Sequence, residues 1–131
     1  MEEELRFGPE NLGLKESEIE IRMARPVRQL RLEPLLSRSP LSLSWSEKKR
    51  SALAAALTCA PRLLLADDPF SGLSETDQAL VAETLNNLPG TVLVSSPLFP
   101  PPRFFGSHLA LLGQGTLCAW GPREEFSPIQ R

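Results

Sequence analysis

The chain has 131 residues, enough for one small domain or part of a larger one, with 14 Lys plus Arg against 16 Asp plus Glu. That near balance gives no electrostatic reason to expect nucleic acid as a partner, and the lack of Tyr with only two Trp excludes an aromatic platform for stacking single strands. No apolar run approaches the roughly 18 residues of a membrane span, and the acidic start lacks the basic and apolar regions of a signal peptide.

Glu2, Glu3 and Glu4 are a solvated start, and residues 1–14, containing "FGPENLGL", are expected to form a loop leading to a helix because Gly and Pro punctuate them. Lys15 to Leu32 places Ile19, Met23, Val27 and Leu30 at helical spacing. Pro26 interrupts that pattern. Lacking a backbone donor and crowding the preceding turn, it predicts two short helices or a kink near Ala24 and Arg25. "EPLLSRSP" is a polar connector. In "LSWSEKKRSALAAALTCAPR", Ser44 and Glu47 form a capping box, so a helix is expected to start at Trp45. Ala52, Ala55, Ala56 and Cys59 share a face whose small side chains let this helix lie close against a neighbour, and Pro61 ends it. Cys59 is then a buried small apolar residue. Cys59 and Cys118, far apart in sequence, make neither a metal-ligand pair nor a disulfide framework, which points to reduced thiols and the cytoplasm.

"RLLLAD", from Arg62 to Asp67, is an uninterrupted apolar run, the pattern of a strand buried on both faces of a parallel sheet. Ser74 is the N-cap of a following helix with Val81, Leu85 and Leu88 on its apolar side, stopped by Pro89 and Gly90. "TVLVSS", Thr91 to Ser96, is a second β-branched strand, and strand–helix–strand of these lengths predicts a right-handed parallel crossover. Pro97, Pro100, Pro101 and Pro102 require a loop. "HLALL" and "TLCAWG", joined through Gly113, Gln114 and Gly115, signal a hairpin, and "PREEF" begins a short helix with Pro122 in its first turn. His108, the sole histidine, opens a strand with no acid or base to pair with and is expected to be structural.

In this order the pieces resemble the second half of the ATP-binding subunit of ABC transporters, over nearly all of the chain. "LSWSEKKRSALAAALTCAPRLLLADDPFSGLS" is similar to that family's signature motif, signature helix, Walker B strand and D-loop. "TVLVSS" resembles the switch strand, and "HLALLGQGTLCAWGPREEF" the terminal strands with the glycine-proline entry to the next helix. Upstream, "EEELRFGPENLGLKESEIEIR" resembles the segment after the Q-loop in the cobalt and energy-coupling-factor group, which imports metal ions or vitamins. The resemblance implies an α/β fold: the C-terminal half of a P-loop NTPase parallel sheet plus the helical signature subdomain. It divides the chain into a helical subdomain at 1–50, an α/β core with Walker B-like and switch-like strands at 51–107, and a terminal hairpin with a short helix at 108–131. It also implies ATP and Mg2+ as cofactors, with the alternative that this chain binds neither. The implied partners are a complete ATP-binding subunit or a P-loop-bearing half, together with a membrane transporter subunit through which the cytoplasmic chain would sit at the inner face of the membrane.

By the same resemblance Asp67 is the Walker B aspartate, orienting Mg2+ through water from a strand's carboxyl end. Asp68 stands at the general-base position, where the family usually has glutamate. It is one methylene shorter, and a displacement of about 1 Å can cost on the order of a hundredfold in rate. Ser44, Trp45, Ser46 and Glu47 occupy the signature motif. There the family has two glycines after the serine, so that backbone donors reach the phosphate bound on the opposite subunit. Trp45 and Ser46 replace those glycines, and an indole obstructs that approach. Ser74 replaces the D-loop aspartate, and Ser96, followed by Pro97, replaces the switch histidine. No G-x-x-x-x-G-K-[ST] occurs, so the sequence holds no phosphate cradle, and it begins just after the place of the family's Q-loop glutamine. Folding signals persist while phosphate signals fade, so ATP hydrolysis by this chain alone is not expected. Three functions fit: a degenerate transport ATP-binding protein acting by contact, half of a split ATPase completed by a P-loop-bearing chain, or a non-functional gene fragment whose unpaired strand edges favour aggregation.

Overall fold

A computed structural model describes residues 1–97 and 106–126. Four α-helices, α1 (Glu2–Asn11), α2 (Glu16–Gln29), α3 (Trp45–Thr58) and α4 (Glu75–Asn86), accompany four strands, β1 (Leu63–Asp67), β2 (Thr91–Ser95), β3 (His108–Gly113) and β4 (Thr116–Pro122). Short 3-10 turns occupy Glu33–Leu35, Pro40–Ser42 and Arg123–Phe126. The fold is α/β, with β1 and β2 parallel and β3 and β4 antiparallel in a separate pair. Of the expected proline loop, Pro97 lies in a bend, and Pro100, Pro101 and Pro102 fall outside the described residues.

The N-terminal segment is a helix, not the loop that Gly8 and Pro9 suggest. Glu2, Glu3 and Glu4 sit in the first turn of α1, where carboxylates favour the positive end of the helix dipole. Gly8 allows α1 to cross α3 closely, since a Cβ there would lie 2.5 Å from the Cys59 sulfur. Pro9 cannot donate to the Leu5 carbonyl four residues back, and the buried Thr58 hydroxyl stands 3.0 Å from that carbonyl instead. The same hydroxyl lies 2.7 Å from Ala55 O, so its single proton is shared between the two carbonyls and the tertiary contact offsets only part of what proline removes.

α2 also differs from expectation. It runs unbroken through Pro26 to Gln29, with Ile19, Met23, Pro26 and Val27 buried. Pro26 removes one donor, its own to the Arg22 carbonyl four residues back, and the helix continues past it because the Pro26 carbonyl still accepts from Leu30 N at 3.0 Å and the buried face stays in the core.

α3 starts at Trp45 as the capping box requires, with Glu47 N donating to Ser44 Oγ at 3.3 Å and Ser44 N to Glu47 Oε2 at 2.7 Å. Its buried face is Ser51, Ala54, Leu57 and Thr58. Of the small-residue face expected to lie against a neighbour, Ala55 and half-buried Cys59 stand beside Gly8, whereas Ala52 and Ala56 are exposed. α3 packs against both α1 and α2, with Ala55 and Cys59 toward Gly8 of α1, so the small side chains form only part of the contact.

One core joins these pieces: Leu5 of α1, Ile19 and Met23 of α2, Leu57 of α3, Leu64 of β1, and Val81 and Leu85 of α4, with Phe70 fully buried. Ser74 caps α4 by accepting from Asp77 N at 3.1 Å, and Leu88 packs against the core as the helical pattern predicts. The parallel register sets Leu63 beside Thr91, Leu65 beside Leu93 and Asp67 beside Ser95. Leu64, Val92 and Val94 face the core, but β1 is not buried on both faces: Leu63 is 57% and Leu65 66% exposed, with Leu93 at 62%. In the hairpin, Gln114 and Gly115 both take positive φ, the twist that a tight loop between antiparallel strands needs. Pro122 closes β4 and the 3-10 turn begins after it at Arg123.

Candidate functional site

The residues singled out by sequence meet where the mouth of α3 faces the loop between β1 and α4. β1 ends at Asp67, whose Oδ1 accepts a hydrogen bond from the Ser95 hydroxyl at the adjacent end of β2. Asp67 is exposed, on the same side of the sheet as Leu63, Leu65 and Leu93. Ser96 directly follows β2 and is exposed.

Asp68 adopts φ of 46°, a left-handed conformation that Asp tolerates better than most residues. Its amide donates to Ser95 O at 2.8 Å, tying the start of the loop to β2. Its carboxylate turns back on its own loop: Oδ1 accepts from Ser71 Oγ at 2.7 Å and Ser71 N at 3.4 Å. This is a side chain holding a turn, as Asp commonly does through the backbone donors that follow it.

At the mouth of α3 the Trp45 indole is 65% exposed but lies against this loop, since a Cβ at Gly72 would stand 2.9 Å from Trp45 Nε1. Gly72 has φ of +75°, so glycine serves there both for its backbone angle and for the approach of the ring. Lys49, one turn along α3, donates from Nζ to Asp68 O at 2.8 Å and to Ser71 O at 2.7 Å, and stands 5.8 Å from the Trp45 ring centroid. Ser46 donates to Asp77 Oδ2 at 3.1 Å, and Arg50 Nε lies 3.6 Å from Asp77 Oδ1 while Arg50 Nη1 donates to Leu30 O at 2.8 Å. Glu47 is spent on the cap. Hydrogen bonds from Ser44 hold its carboxyl below the ordinary glutamate range, with Arg38 at 3.5 Å adding a weaker attraction.

The structure therefore brings Trp45, Ser46, Asp68 and Ser74 to one joint, adjoining Asp67, and fills that joint with protein contacts. Lys49, Ser71, Gly72, Asp77 and Ser95 complete it, and sequence reasoning missed them. Two had a local signal: Lys49 follows Trp45 at i+4, and Ser71 follows Asp68 at the spacing of an Asp-held turn. His108 stands apart on the hairpin, stacked on Trp120 with centroids 5.5 Å apart and with Ser107 Oγ 3.1 Å from Nδ1. Among the described residues no group of three or more His, Cys, Asp or Glu is placed to hold a metal, so the acid pair offers at most one or two carboxylates to an ion. Mg2+ accepts such sites when phosphate oxygens and water supply the other ligands. Among the described residues no helix is long and apolar enough to cross a membrane.

A parallel strand pair joined through a helix, with an acid pair at its carboxyl end, is part of an α/β sheet of the class that places its ligand sites at the carboxyl ends of the strands. The ABC transporter family matches residues 2–71, and the chain belongs to that family. Among its relatives, the nickel import ATP-binding protein NikO of Rhodobacter capsulatus is 36% identical over 129 residues, covering 94% of this chain and 51% of that protein. The energy-coupling factor transporter ATP-binding protein EcfA of Methanococcus maripaludis is 31% identical over 131 residues, covering 97% and 47%. The structure of CbiO1 from Clostridium perfringens, described as part of the ABC transporter complex CbiONQ, superposes with a TM-score of 0.80 at 25% identity, over 93% of this chain and 50% of that one. The chain thus spans about half the length of these relatives.

Proposed function

We propose that the chain is a transport ATP-binding polypeptide of the group that imports metal ions or vitamins, and that it does not hydrolyse ATP alone. It acts by contact, at the inner face of the membrane, with a complete ATP-binding subunit and a membrane transporter subunit. The group assignment is supported by the nickel and energy-coupling relatives. The contact role is carried by one observation: the groups at the phosphate-facing positions are engaged within the chain. Trp45 lies on Gly72, Ser46 on Asp77 and the Asp68 carboxylate on Ser71. Ser74 keeps a cap in place of an acid, and Ser96 offers no imidazole at the switch position. ATP and Mg2+ remain the cofactors of the assembly. The division at 1–50, 51–107 and 108–131 belongs to the same proposal, with α3 continuous across its first boundary. The test is ATP turnover by the purified chain with Mg2+. Release of phosphate at the buffer rate is expected, and saturable hydrolysis without a partner overturns the reading.

Exposed Asp67, at the end of an open sheet face, favours a second reading: half of a split ATPase whose P-loop lies on a partner chain, with Asp67 orienting Mg2+ through water. Co-expression with a P-loop-bearing half then yields activity that Asp67→Asn lowers at least tenfold. Unchanged activity in Asp67→Asn removes that role.

A further inference from the structure

α2 buries Ile19, Met23, Pro26 and Val27 and leaves its other side open. Ser17, Ile21, Ala24 and Arg28, at i, i+4, i+7 and i+11, form one exposed stripe, flanked by exposed Glu20 and Arg25. Charge is divided along the helix. Glu16, Glu18 and Glu20 fall in its first half, and Arg22, Arg25 and Arg28 in its second. Glu16 is held by Arg6, Glu18 pairs with Arg22 at 2.9 Å, and Arg25 gives one hydrogen bond to Asn87 O at 2.8 Å. Among the described residues Glu20, Arg25 and Arg28 have no ion pair. The helix dipole favours acids at the start and bases at the end of any helix, so the signs alone imply no partner. The middle of the stripe is a separate observation. Ile21 is 73% exposed between the two charged halves. One turn away, Ala24 borders an open cavity of about 250 Å3, with Met23, Val27 and Leu36 at its apolar side and Glu16 and Glu20 at its rim.

We propose that this stripe is a contact between two copies of the chain, which meet through antiparallel α2 helices about a two-fold axis passing between Ile21 and Ala24. In that arrangement residues equally far from the axis face each other. Ile21 of one copy lies over Ala24 of the other, and the acidic half of each helix faces the basic half of its partner. Parallel helices would set acid against acid, so charge fixes the antiparallel orientation. An anionic membrane surface fits less well: it attracts the basic half but repels Glu16, Glu18 and Glu20 on the same helix. The matching dipole is the same helix reversed. A contact confined to one face of a 14-residue helix falls short of the roughly 1,200 Å2 of a standard interface, so the dimer is weak and reversible, and added salt weakens it further. It uses none of the groups at the mouth of α3, and Trp45, Asp67 and Asp68 keep the contacts described above.

The test is sedimentation equilibrium of the purified chain from micromolar to millimolar concentration, at low and high salt. A monomer–dimer equilibrium that weakens with salt is expected. Arg25→Glu with Arg28→Glu makes the stripe acidic at both ends, and Glu18→Lys with Glu20→Lys makes it basic at both ends. Each double variant alone is expected to dimerise about tenfold more weakly, whereas an equimolar mixture of the two recovers association as a heterodimer, because opposite charges again face each other. Ile21→Asp weakens the dimer by a similar factor and, at an exposed position, keeps the melting transition, while Leu41→Asp, exposed and outside α2, leaves association unchanged. A chain that stays monomeric throughout overturns the proposal. So does association that both double variants and Ile21→Asp leave unchanged, or a mixture that stays monomeric while both variants melt like the wild type. Binding to phosphatidylglycerol vesicles that Arg25→Glu with Arg28→Glu abolishes, in a chain that does not self-associate, overturns it in favour of a membrane surface.

Discussion

Asp68 illustrates how local partners decide what a carboxylate can do. Its position after an apolar strand is readable from sequence, but its hydrogen bonds to Ser71 and the grip of Lys49 on its carbonyl are not. Gly72 gives the sharpest test of that joint. With φ of +75° and the Trp45 ring against it, Gly72→Ala is expected to cost about 1–2 kcal/mol from backbone strain, plus a contact penalty. Chemical denaturation of the two single variants and the double checks this: the cost of Gly72→Ala is smaller in a Trp45→Ala background. Equal cost in both backgrounds would show that the ring does not press on the glycine. Glu47 supplies a pH test. Its carboxyl is held below the ordinary value near 4.5 by the Ser44 amide and hydroxyl, so the folded state favours the ionised form. The stabilisation is complete above that ordinary value and is lost as pH falls through the lower folded-state value. Melting temperatures of wild type and Glu47→Gln therefore converge on acidification, and a gap that widens toward low pH contradicts the cap assignment.

Elements show where sequence signals were right locally and wrong in context. The α3 capping box and the Ser74 cap of α4 are decided by residues within three positions of each other, and both stand in the structure as the sequence implies. Within the loop expected over residues 1–14, Glu2–Asn11 is a helix, and Thr58, 53 positions from Leu5, brings a hydroxyl shared with Ala55 O to the carbonyl that Pro9 orphans. Thr58→Val keeps the shape and removes the hydroxyl, leaving that carbonyl buried without its partner. A loss of about 1–3 kcal/mol in urea unfolding is expected, and a Pro9→Ala change made together with it recovers part of the loss. Additive effects would mean the two residues act separately.

At the scale of the whole molecule, one core links α1, α2, α3, β1 and α4, whereas no residue of β3 or β4 is among its buried members. The isolated chain is therefore expected to melt cooperatively by circular dichroism, with the hairpin amides exchanging faster than those of α1 and α3. A gradual, non-cooperative melt would favour the fragment reading. The sequence by itself determined the order of elements from Trp45 onward, the parallel pairing, the caps and the family, because each is written in neighbours along the chain or in motif order. Tertiary structure alone decided that Glu2–Asn11 is helical, that α2 continues through Pro26, that Lys49 and Gly72 bind the mouth of α3 to the acid loop, and that β1 and β2 have one open face. Those outcomes depend on groups far apart in sequence and on which sheet face the described helices cover, and no local pattern of hydrophobicity or turn chemistry encodes either.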